Sequence, residues 1–69
     1  MKIRYDLYDG LNYMFQSPID LSEKTIFSVK DDNDETSMYF VEWKHHLFEL
    51  DINQVTVELH CFKMKDVTS

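Results

Sequence analysis

The 69-residue chain carries thirteen acidic against seven basic side chains, for a formal net charge of −6 and a pI near 4.7. A chain of this length buries only about 60% of its unfolded surface, so residues 1–69 make one domain of marginal stability. The acidic balance repels phosphate backbones and anionic membranes; it sets aside direct nucleic-acid and membrane binding and makes a basic protein the natural partner.

Hydrophobic residues at 43% and aromatics at 14% lie well outside the disordered range. The single cysteine, Cys61, excludes an internal disulfide and reads as a small buried hydrophobe. Small secreted domains rely on such staples. The first residues also lack the apolar run of a signal peptide, and no uncharged apolar stretch is long enough to cross a membrane. The expected location is the cytoplasm. Alanine is absent, and glycine, proline and arginine occur once each. All are residues with GC-rich codons, which points to an AT-rich coding source of the kind that phages and mobile elements share.

Along the chain, Ile3, Tyr5 and Leu7 alternate with Lys2, Arg4 and Asp6, the pattern of a half-buried strand. Asp9-Gly10 signals a hairpin, and a three-residue loop, Asp9-Gly10-Leu11, sets Leu7 against Tyr13 and Tyr5 against Phe15. Ser17-Pro18-Ile19-Asp20 has a capping serine and a proline at a first helical position, predicting a turn of helix at most. The β-branched and aromatic stretch Thr25-Ile26-Phe27-Ser28-Val29 then reads as a strand. Between Asp31 and Ser37 the chain is acidic and polar, a solvated loop.

In the second half, Val55, Val57, Leu59 and Cys61 alternate with Thr56, Glu58 and His60, and Phe48, Leu50 and Ile52 follow the same pattern upstream. A turn at Asn53-Gln54 pairs Ile52 with Val55, Leu50 with Val57 and Phe48 with Leu59, which places Leu50 and Val57 in the central core. A second turn around His45-His46 pairs Trp43 with Phe48, Val41 with Leu50 and Tyr39 with Ile52. A helix over 38–50 is the competing reading, because Met38, Val41, His45 and Phe48 also fit helical spacing. Aromatic and β-branched content favours strand. The expected fold is mainly β: a small antiparallel sheet or partly open barrel of about five strands with at most one short helix.

This register sets Glu42, Glu49 and Glu58 in a row across the outer face, where like charges call for a compensating group. Phe40, Leu47, Phe62 and Met64 share that face. The candidate partner contacts are therefore Glu42, Glu49, Glu58, Phe40 and Leu47, together with Asp31, Asp32, Asp34 and Glu35 of the acidic loop. His45, His46, His60 and Cys61 have metal-ligand chemistry. Adjacent strand residues point to opposite faces, however, and no Cys-x-x-Cys or His-x-x-x-His spacing supports them, so neither metal nor cofactor is expected. With Gly10 the only glycine, a phosphate-cradling loop is excluded, and no Gly-x-Ser-x-Gly elbow occurs. Lys2 and Arg4 near the start, with Lys63 and Lys65 near the finish, make a basic edge if the first and last strands are neighbours.

The expected function is a small acidic protein-binding module, an inhibitor or accessory factor of phage or mobile-element type, and not an enzyme. A homo-oligomeric structural or regulatory subunit is the alternative, and a metal- or thiol-dependent enzyme the remote one.

Overall fold

The structure, a computed structural model, describes residues 1–64. Five strands account for most of the chain: β1 (Lys2–Asp9), β2 (Asn12–Ser17), β3 (Ile26–Lys30), β4 (Thr36–Glu49) and β5 (Gln54–Lys63). They form a single sheet in the order β2-β1-β5-β4-β3, curled into half a barrel. The mainly-β architecture is the one expected, with a single 3-10 turn (Leu50–Ile52) as its only helical element among the described residues. The sheet is mixed, not purely antiparallel, because β1 and β5 run parallel. Parallel neighbours need a crossover. Residues 18–25 help provide it, carrying the chain from β2 at one edge to β3 at the other.

Local chemistry sets the first hairpin. Gly10 has φ +62° and Leu11 does not share that sign, the φ pattern of a two-residue turn with glycine in first place. Asp9 therefore pairs with Asn12, and the expected three-residue loop is not formed. Leu7 pairs with Phe15 and Tyr5 with Ser17, because a bulge at Met14 inserts one unpaired residue. Ser17-Pro18-Ile19-Asp20 makes a bend and no helix: the Ser17 hydroxyl donates to Ile19 O at 2.7 Å and accepts from Ile19 N–H at 3.1 Å. This local bonding competes with helix initiation.

The larger correction concerns 38–50. This segment is neither a helix nor a hairpin but the greater part of one 14-residue strand, β4. No turn occurs at His45-His46. The pairing instead shifts between Val41 and Trp43, where Glu42 is a bulge residue. One extra residue reverses which side chains face inward. Before the bulge Tyr39 and Val41 face the core; beyond it Lys44, His46 and Phe48 do, opposite Leu59, Val57 and Val55. The change of phase that suggested a turn is therefore real, and a bulge produces it.

The turn into β5 spans residues 50–53. Its 3-10 segment ends at Asn53, which adopts φ 52° and ψ 51°, a left-handed conformation that asparagine tolerates better than most residues. Glu49 pairs with Gln54, so the expected partnerships of Ile52, Leu50 and Phe48 do not form. Leu50 lies in the turn, 80% exposed, and is no part of the core; Val57 is buried as expected.

Leu7, Val41, Val57, Leu59 and Cys61 make the buried cluster on the concave face. Leu21 from the crossover packs on them, with Tyr5, Met14, Phe27 and Tyr39 at the margins. The crossover is pinned over that face by Asp20, whose carboxylate meets Lys44 Nζ at 2.7 Å. Further along, Lys24 N–H donates to Val41 O at 2.8 Å and Val41 N–H to Thr25 O at 2.9 Å, leading the chain into β3.

The parallel pairing also separates the basic residues. Lys2 and Arg4 lie beside Gln54 and Thr56, whereas Lys63 pairs with Tyr39 at the opposite end of β5, so these three form no common basic edge. Lys65 lies outside the described residues.

Candidate partner-binding face

Because alternate residues of a strand project to opposite sides, the sheet that buries Leu7, Leu59 and Val41 must present a second row outward. Across four strands that row is aromatic: Tyr13 on β2, Tyr8 on β1, His60 on β5 and Trp43 on β4. The His60 ring lies between the other two strands' rings. Its centroid is 3.8 Å from that of Trp43, with planes 6° apart, and 5.1 Å from that of Tyr8, with planes 13° apart. Tyr13 completes the row edge-on to Tyr8 at 5.7 Å. A second, shorter row is formed by Phe62 and Phe40, 5.3 Å apart, with the Lys24 ammonium 5.9 Å from the Phe40 centroid. Tyr13, Trp43 and Phe62 are 50%, 46% and 44% exposed.

The polar groups beside this band are internally matched. Glu58 Oε1 accepts from His45 Nδ1 at 3.0 Å and from His60 Nε2 at 3.1 Å. With Glu58 ionised, both bonds require a proton on those ring nitrogens. The His45 hydrogen bond, helped by that from His60, holds the Glu58 carboxyl below its usual value against the opposing effect of burial. Asp6, buried on the same face, accepts from Arg4 Nε at 2.8 Å. Burial, together with the charges of Glu58 and Asp6, pushes the Tyr8 phenol up, so it stays neutral.

The three carboxylates read as a row do not form one. Glu42 is the exposed bulge residue, Glu49 faces Gln54 and accepts from Thr56 Oγ1 at 3.3 Å, and Glu58 faces His45. The reason is the bulge and the longer turn, which offset Glu49 from Glu58 along the ladder. Phe40 and Leu47 both lie on the outer face, as expected, with Leu47 opposite Thr56 and Phe40 opposite Phe62. Met64 is half-buried, its N–H donating to Met38 O at 2.8 Å.

The acidic loop sits apart, between β3 and β4. Asp31 Oδ1 accepts from the N–H groups of Asn33 and Glu35, and Asp34 meets Lys30 at 2.7 Å. Asp32 and Glu35 are exposed there. Thus Phe40 and Leu47 share the aromatic face, and Asp31, Asp32, Asp34 and Glu35 form a separate charged tip.

The aromatic row itself escapes a reading of the sequence. Tyr8 and Tyr13 flank the Gly10 turn and mark a cross-strand pair, but their stacking on His60 and Trp43 depends on the parallel pairing and the bulge.

Nucleophilic chemistry has little footing. Cys61 faces inward, its Sγ 3.4 Å from Leu59 O, and burial, with the nearby Asp9 charge, raises its thiol to about 11. A thiol so placed is protonated at neutral pH and shielded from substrate. Among the described residues no three His, Cys, Asp or Glu side chains gather to hold a metal ion. No helix among the described residues is long and apolar enough to cross a membrane. Among the described residues one cleft of about 360 Å³ lies on the concave side between Phe15, Leu21 and Val29, and another of about 370 Å³ on the outer face between Leu11, Trp43 and Phe62 with Glu42 at its wall. Comparison of the chain with family models, with curated proteins and with solved structures returns no match.

Proposed function

We propose that the chain is a protein-binding module that docks its partner on the outer aromatic face. The observation that carries this reading is the continuous band from Tyr13 to Trp43, whose two ends are exposed together with Phe62 and Leu47 although the fold already has a core elsewhere. Large aromatic groups dominate the binding energy of interfaces more than other apolar residues. Here mutual stacking holds them in place before a partner arrives, which lowers the entropy lost on docking.

Net charge supplies the other half of the argument. At −6 the chain attracts a basic partner from a distance, and the acidic tip at 31–35 contributes to steering, not to the docked contact. An inhibitor or accessory factor of phage or mobile-element type, acting on a cytoplasmic protein without catalysis, fits the size, charge and codon bias. A photoreactive phenylalanine analogue placed singly at Tyr13, Phe62 or Ile19 tests the reading in cells of the source. Adducts with one basic protein from Tyr13 and Phe62, and none from Ile19 on the crossover, are expected. Adducts from Ile19 alone, or from none of the three, would refute it.

A further inference from the structure

Among the described residues three edges of the sheet lack a strand partner: that of β2, that of β3 and the second half of β4. Those of β2 and β3 are poorly suited to pairing. β2 carries the Met14 bulge, β3 is short and ends in Lys30, and the two border a common cleft lined by Phe15 and Val29. The edge of β4 is different. β3 reaches it only as far as Phe40, with Thr25 and Lys24 extending the bonding to Val41. Beyond Glu42, residues 43–49 are paired with β5 on one side in an unbroken ladder, and no strand lies on the other among the described residues.

We infer that residues 45–49 pair with the same residues of a second copy, antiparallel about a twofold axis at Leu47, joining two sheets into one. Charge singles out this segment. The chain as a whole is at −6, yet residues 43–49 contain one lysine, Lys44, and one acid, Glu49, so two copies meet there without net repulsion. Apolar groups flank the edge on both faces: Leu47 outward, Phe48 inward at 60% exposure, and Leu50 and Ile52 exposed in the turn that follows. A regular edge of no net charge is a template for pairing, and Lys44, the one guard of the usual kind in it, is engaged by the Asp20 carboxylate.

The pairing is also self-consistent. An axis at Leu47 sets leucine beside leucine, His45 beside Glu49 of the second copy and His46 beside Phe48 of the second copy. An axis one residue earlier sets His46 against its own copy and Lys44 against Phe48, losing that charge match. The association takes Leu47 but leaves Tyr13 and Tyr8, on strands at the other side of the sheet, uncovered, so the aromatic band proposed above stays open.

The test is cross-linking at the axis. Residues directly opposite in an antiparallel pair have Cα atoms about 4.5–5.5 Å apart, within the span of a disulfide. Leu47→Cys should oxidise rapidly to a covalent dimer of twice 8.3 kDa, and Ile19→Cys, on the exposed crossover, should not. Native Cys61 is buried and stays out of the reaction. Sedimentation equilibrium of the unmodified protein should show a monomer–dimer equilibrium, weakened about tenfold or more by Leu47→Lys. Leu47 is exposed, so both variants keep the fold, which circular dichroism verifies; if the lysine variant unfolds, the cysteine variant carries the test. An unmodified protein that stays monomeric up to millimolar concentration would overturn the inference. So would a dimer in which Leu47→Cys cross-links no faster than Ile19→Cys.

Discussion

Glu58 receives both of its close hydrogen bonds from imidazoles, those of His45 and His60. Its carboxyl is depressed in the fold, chiefly by the bond from His45. A depressed carboxyl contributes stability that is fully present above the unfolded value, near about 4.3, and is lost as pH falls through the folded value. Urea midpoints should therefore decline below that pH. Glu58→Gln should cost roughly 1 kcal/mol at neutral pH, the net worth of a typical hydrogen bond, and should flatten the acid limb. An unchanged acid limb in the variant would place the pH dependence elsewhere. Cys61 makes a second prediction at this scale. With its thiol raised to about 11 and buried, reaction with a soluble disulfide reagent should be slow in the native protein and fast in urea. Comparable rates in both would show an accessible thiolate.

At the scale of elements, what the sequence makes legible is strand content and what it hides is phase. The alternation in β1 and β5 is correctly read from Ile3 to Leu7 and from Val55 to Cys61, because each strand keeps one phase throughout. β4 does not. Its inward residues are Tyr39 and Val41 before Glu42, then Lys44, His46 and Phe48 after it, and a bulge leaves no residue-type signature as strong as Asp-Gly. A two-residue turn at Asn53-Gln54 sets Leu50 in the core and Glu49 opposite Glu58, and a turn at His45-His46 sets Glu42 opposite Glu49; neither pairing forms. The acidic row was a product of that register, whereas the outer placement of Phe40 and Leu47 survives it. The register is directly testable by truncation. Leu59→Ala should cost about 2–5 kcal/mol, as for a fully buried leucine, while Leu50→Ala should lie within about 0.5 kcal/mol of the unmodified protein. A large loss at Leu50 with a small one at Leu59 would restore the rejected register.

For the molecule as a whole, the decisive feature is the parallel contact of β1 with β5. Nothing local announces it: the two strands are at opposite ends of the chain, and a hairpin reading offers only antiparallel neighbours. Yet this contact closes the centre of the sheet, buries Leu7 against Leu59, and brings Tyr8 alongside His60 to make the aromatic band continuous. The face offered to a partner is thus a consequence of topology more than of any motif. Its role in docking is tested by calorimetric titration of the cross-linked partner into Trp43→Ala, Phe62→Ala and Leu50→Ala, each first shown to be folded. The two aromatic variants should weaken binding about tenfold or more, as truncation of interface anchors does, while Leu50→Ala should bind like the unmodified protein. Undiminished affinity in both aromatic variants, or an equal loss in Leu50→Ala, would contradict it.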